Sequence, residues 1–137
     1  MIELWKLKSI EVRKELTDEW EKRGVEGDQS FAILTDEITH AWSGKSAKAY
    51  KQFKGLKKEN LRDNMTNLEL VLNMLAEAST TEISKERIPE TFDENRSVAK
   101  EGGSVAGGAR KEIESRTGKP IVSPQNANTI RKQQALD

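Results

Sequence analysis

The chain has 137 residues, of which 34% are hydrophobic and 34% charged, with a net charge of zero. One domain with a thin apolar core is expected from such numbers, since a globular chain usually holds about 25% charged residues. Cysteine is absent, which excludes disulfides and cysteine-ligated zinc, and no apolar run approaches the roughly 20 residues of a membrane span.

Met1 gives way at once to Glu3 and mixed charge, so no signal peptide is expected and a cytoplasmic location is. Glu3 to Arg23 has the spacing of an amphipathic helix, with Trp5, Val12, Leu16 and Trp20 on one side. Gly24 is its expected stop, because glycine accepts the left-handed conformation past a helix end. Phe31–Ala41 fits either a short extended piece or a helix. Leu34, Ile38, Ala41 and Trp42 fall on one helical face, so helix is preferred, with Thr35 as its cap. Ser46 is placed to cap a short helix that runs to Lys54 and ends at Gly55.

Thr66 and Glu69 have capping-box spacing. Behind them Leu68, Val71, Leu72, Leu75 and Ala76 form a broad apolar stripe, so a long helix is expected from Met65 to Arg87. Ile88-Pro89 ends it, since the residue before proline avoids the helical region. Thr91 and Glu94 repeat the capping-box spacing and open a helix carrying Val98, Val105, Ala109 and Ile113, closed by Gly118 and Pro120. Ser123-Pro124 reads as a cap and first position of a last short helix, to about Gln134. The fold class is mainly α, with five to six helices, two of them long and amphipathic. It reads as a bundle, extended or completed by oligomerisation. Residues 1–118 form a helical interaction domain and residues 119–137 a polar tail.

Charge alternates along the chain. Glu11–Glu37 sums to −5, Lys45–Arg62 to +6, Thr66–Asn95 to −5 and Arg96–Asp137 to +4. Opposed blocks can pair within the chain, between subunits or with a partner. The basic segment holds Lys45, Lys48, Lys51, Lys54, Lys57, Lys58 and Arg62 against Glu59 alone. Lys48, Lys51 and Lys54 recur every three residues and are expected to share roughly one helix face. That row suits phosphate contacts, and helix, glycine turn and helix is also the outline of a helix-turn-helix. The competing reading is a solvated lysine face balanced by the acidic helices beside it.

Gly102-Gly103-Ser104-Val105-Ala106-Gly107-Gly108 is no phosphate loop, since Gly108 stands where lysine is required and no strand precedes it. Ala99, Gly103, Ala106 and Gly107 instead lie along a helix whose small residues admit close approach of another backbone, in this chain or a second copy. A hinge is the alternative. His40 and Asp36 stand four apart, too few for a metal site. They form no catalytic constellation with the other side chains, so neither enzymatic activity nor a cofactor is expected.

Several runs together resemble the C-terminal half of the DNA-damage-inducible protein D family. They are Phe31-Ala-Ile-Leu, the stretch from Tyr50-Lys-Gln-Phe-Lys-Gly-Leu-Lys-Lys to Met65-Thr-Asn-Leu-Glu-Leu, Ala-Glu-Ala-Ser-Thr-Thr-Glu-Ile, and the Lys-Glu-Gly-Gly helix. Arg13-Lys-Glu-Leu leading to Arg23-Gly-Val is similar too. The likeness spans most of Ile10 to Asn126. Family members carry, ahead of this region, a DNA-contacting domain similar to those of phage antirepressors, and this chain begins where the second half would begin. The resemblance implies a non-enzymatic role in the DNA-damage response, by binding the recombinase RecA on single-stranded DNA. A role against a host protein in a phage or mobile element is the weaker implication. Both leave direct, sequence-tolerant nucleic-acid binding through Lys45–Arg62 as the alternative.

Overall fold

The computed structural model describes residues 2–136, which form six α-helices and one 3-10 turn with no strand among them. The helices are α1 (Ile2–Lys22), α2 (Asp28–Ser43), α3 (Ala47–Phe53), α4 (Asn67–Arg87), α5 (Phe92–Thr117) and α6 (Ala127–Leu136), with the 3-10 turn at Arg62–Asn64. This agrees with the mainly α reading and with its count of helices. No described helix is long and apolar enough to cross a membrane.

α4 and α5 are joined by residues 88–91 and pack along each other as an antiparallel hairpin. α2 lies on α5, and α1 lies on α4. The core between them is built from Leu16, Trp20, Leu34, Ile38, Trp42, Tyr50, Leu72, Ala76, Ala99 and Ala106. Trp20 packs on Phe31 with ring centres 5.6 Å apart, and Trp42 meets Tyr50 edge-on at 5.9 Å. The side chain of Trp5 lies outside the described residues.

The capping signals mostly act where they stand. The Ser46 side chain accepts from Ala49 N at 3.1 Å. Glu69 N donates to Thr66 Oγ1 at 3.2 Å while Thr66 N donates to Glu69 Oε1 at 2.8 Å, a complete capping box. Thr91 accepts from Glu94 N at 3.1 Å, but the Glu94 carboxylate turns to Glu90 N at 2.6 Å, so only half of the second box forms.

Two caps differ from the sequence reading. Thr35 lies in the middle of α2, which begins seven residues earlier behind Gly27 at φ 89°. Its hydroxyl donates to Phe31 O at 2.7 Å and accepts from Arg13 at 2.6 Å, so it ties α2 to α1 instead of starting a helix. α6 is capped by Asn126, whose Oδ1 accepts from Asn128 N and Thr129 N at 3.0 and 3.1 Å. Ser123 accepts from Gln125 N at 3.1 Å in a local turn ahead of it. Ile88 ends α4 in the left-handed region, at φ 50° and ψ 62°, outside the right-handed helical region that a residue before proline avoids.

The small residues of α5 act within the chain. A Cβ built on Gly103 would lie 2.6 Å from Ala41 Cβ and 2.7 Å from Ile38 O, and one on Gly107 would lie 2.7 Å from Ala41 O. One on Gly102 would collide with Thr80. Gly103 and Gly107 therefore bring α5 to backbone distance from α2, Gly102 brings it to α4, and Ala99 and Ala106 are fully buried beside them. The stripe is a packing surface of this chain, and no surface for a second copy follows from it.

The apolar stripe expected along α4 is only partly interior. Leu72 and Ala76 are buried, whereas Leu68, Val71 and Leu75 are 40%, 40% and 39% exposed. The inner face carries Glu69, Asn73, Glu77, Thr80, Thr81 and Ser84, all buried. Within the stretch after Gly118, read as a polar tail with a short helix, Ile121 and Val122 join the core.

Candidate functional site

The basic segment divides by direction. Steps of three residues each turn a helix by about 300°, so Lys48 and Lys54 end about 120° apart and cannot share a face. Lys48 points to solvent, Lys51 is half-buried and Lys54 is buried. Lys54 is thus removed from the contact row expected for it. Its Nζ donates to Glu69 Oε1 at 2.7 Å and to Gln125 O at 2.6 Å. Burial pulls its ammonium below the usual lysine range, against the attraction of Glu69.

Glu69 is the centre of that buried cluster. The Tyr50 hydroxyl donates to its Oε2, Ser123 N donates to the same oxygen at 3.2 Å, and Thr66 N holds Oε1. One carboxylate therefore caps α4, neutralises Lys54 and anchors the chain after Pro120. Burial, with the neighbouring Glu69 charge, pushes the Tyr50 phenol up, so it remains a donor.

Arg62 is also turned inward. Its Nη2 donates to Glu77 Oε2 at 2.9 Å and its Nη1 to Ser9 O at 3.2 Å. Arg13 reaches the same Glu77 oxygen at 3.1 Å from α1, with its guanidinium 5.3 Å from the centre of the Trp20 ring. Burial pushes the Glu77 carboxyl up, against the pull of Arg62 and Arg13.

The remaining five cations face outward or into an adjoining cleft. Lys45 stands over the Phe53 ring at 4.5 Å, and Lys48, Lys57 and Lys58 are exposed. Among the described residues Lys45, Lys48, Lys51, Lys57 and Lys58 have no carboxylate within ion-pair distance. The acidic α4 thus neutralises two of the seven basic residues and leaves five uncompensated. The helix-turn-helix outline is not realised: residues 54–66 separate α3 from α4 and include the 3-10 turn, where such a motif has a turn of about three or four residues.

His40 is exposed, and Asp36 is not its partner, since Asp36 Oδ1 accepts from Ala47 N at 2.7 Å. No three histidine or acidic side chains among the described residues gather as a metal site.

Sequence reasoning passed over Arg13, Asn73 and Glu77. A signal was present: Glu69, Asn73, Glu77 and Thr81 recur at intervals of four along α4. Polar residues at helical spacing read as a solvated face until a neighbouring helix supplies matching charges.

No family model matches the chain, and the searches of curated proteins and of solved structures yield no similar protein. The geometry itself therefore carries the functional reading.

Proposed function

We propose that the chain is a non-catalytic binding protein that docks on an anionic macromolecular surface through Lys45, Lys48, Lys51, Lys57 and Lys58. The observation that carries this is that, among the described residues, these five lysines have no carboxylate partner, whereas most of the other basic side chains are paired. Unpaired lysines clustered on a short helix and the chain on either side of it gain by displacing counterions from a polyanion. The resemblance to the DNA-damage-inducible protein D family makes a RecA filament on single-stranded DNA, in the cytoplasm, the first partner to test. A host target of a phage or mobile element is the weaker alternative partner.

Direct binding of bare nucleic acid is the second reading, favoured by the same unpaired lysines. Self-association belongs to the proposal only through the outer face of α4, where Leu68, Val71 and Leu75 are exposed.

Fluorescence anisotropy separates the readings. Labelled single-stranded DNA, bare and coated with RecA, is titrated with the protein over a salt series. Tighter binding to the coated strand, with slowed strand exchange, supports the first reading. Equal binding to bare DNA supports the second. Replacing Lys48, Lys57 and Lys58 together by glutamate should abolish either, and replacing any one of them by alanine should lower the salt slope by about one. Negligible affinity for both DNA forms at low salt, or a triple variant that binds like wild type, overturns the proposal. Light scattering at high concentration tests self-association, which a monomer would exclude.

A further inference from the structure

A cleft of about 540 Å³ opens beside α3, bordered by α1, α2 and residues 60–63, with Asn73 and Glu77 of α4 in its lining. That volume suits a ligand of mononucleotide size. Its lining carries Arg13, Lys51 and Arg62 against Glu77 and Asp63, and Asp63 already pairs with Lys6 at 3.4 Å. The excess charge is positive.

Three polar groups of this lining are unmatched. Arg13 and Arg62 both converge on Glu77 Oε2, which leaves Oε1 of a side chain only 2% exposed without a partner among the described residues. Such an acceptor is costly to leave unpaired, and it is sealed from the cleft. Asn73 Oδ1 accepts from the Trp42 indole at 3.2 Å. Because an indole nitrogen can only donate, the amide NH₂ of Asn73 is turned the other way, and it has no protein partner among the described residues. The Lys51 ammonium has no carboxylate within ion-pair distance among the described residues. Each guanidinium also keeps N–H groups beyond the two bonds that it makes here.

We infer that this cleft binds a small organic anion. The anionic group, phosphate or carboxylate, is held by Lys51 and the spare guanidinium N–H groups, with the Asn73 amide as a further donor. A neutral ligand leaves Lys51 unmatched. The site shares Lys51 with the macromolecular surface, but Lys45, Lys48, Lys57 and Lys58 do not line it.

The full-length, isotope-labelled protein is titrated with adenosine and guanosine 5′-monophosphate, L-glutamate and inorganic phosphate, and amide shifts are followed. Saturable shifts at Thr35, Lys51, Asn60 and Asn73, with a dissociation constant of about 1 mM or tighter for a nucleotide or for glutamate, are expected. Nucleotide binding alone identifies a phosphate ligand, and glutamate binding alone a carboxylate one. Lys51→Ala should weaken binding about tenfold with an unchanged melting temperature, as loss of one charge-assisted contact does. Lys57→Ala should leave binding as it is, although it belongs to the DNA-contacting set. No saturable shift by about 10 mM of any probe overturns the inference. So do shifts confined to Lys48, Lys57 and Lys58, a Lys51→Ala variant that binds like wild type, and inorganic phosphate that binds as well as the nucleotides. DNA binding that fails while the cleft still fills removes only the macromolecular proposal.

Discussion

Lys54 has no exposed side-chain surface, and its ammonium is satisfied by one carboxylate and one carbonyl. Replacing it by methionine keeps the packing volume and strands the Glu69 charge. Removal of one partner of a buried pair costs more than the pair's net worth, so Lys54→Met should lower stability by about 3 kcal/mol in urea unfolding. Glu19 supplies a pH-dependent counterpart. Burial pushes its carboxyl up, but the hydrogen bonds from Arg23 at 2.6 Å and Ser84 at 2.7 Å, with the Arg23 charge, outweigh that and hold it below the usual carboxylate range. A folded-state pKa below the unfolded one means that the unfolded chain takes up the proton first. The stabilisation is therefore full above the ordinary carboxylate range and is lost as pH falls through the lowered value. Glu19→Gln should flatten that acid limb in melting curves recorded across pH.

Within α5, glycines a few residues apart carry opposite expectations. Gly108 faces open space, so Gly108→Ala should stabilise by about 0.5–1 kcal/mol through helix propensity alone. Gly103→Ala gains the same propensity but pushes a methyl group against Ala41 and the Ile38 carbonyl, and should destabilise by about 2 kcal/mol. Thermal unfolding of the two variants checks both signs. These elements also show what a linear reading holds. Thr66-Asn-Leu-Glu69 and Ser46 act as local caps because both partners of each bond lie within one turn, so helix starts there were legible. Thr35 was misread as a start because its partner, Arg13, is 22 residues away. The lysine row was legible as charge and illegible as direction, since Lys54 turns inward only because Glu69 and the Gln125 carbonyl wait there. The cleft was not legible at all. Its groups come from α1, α2, α3, α4 and the loop before α4, and each looked solvated on its own segment.

Across the whole molecule, the alternating charge blocks find part of their balance at home. Glu69 and Glu77 of the second acidic block hold Lys54 and Arg62 of the basic one, and Glu37 of the first acidic block holds Arg96 and Lys100 of the last. Zero net charge therefore coexists with a locally positive surface. The same arrangement makes residues 119–137 part of the domain. Deleting them removes Ile121 and Val122 from the core and the Gln125 carbonyl from Lys54, and should cost about 4 kcal/mol, read as a shift in the denaturant midpoint.

Glu69 joins the start of α4, the end of α3 and Ser123 through one carboxylate, while Asn126 closes on Lys54 O at 3.0 Å and Asn64 on Ala127 N at 2.8 Å. Segments more than fifty residues apart thus share one fastening, and neither can loosen alone. In hydrogen-exchange terms the basic loop and the end of the chain are a single cooperative opening unit. Their amides should exchange with one common free energy, and a partner that grips the lysines from outside should slow exchange at Ser123 and Ala127, which it never touches.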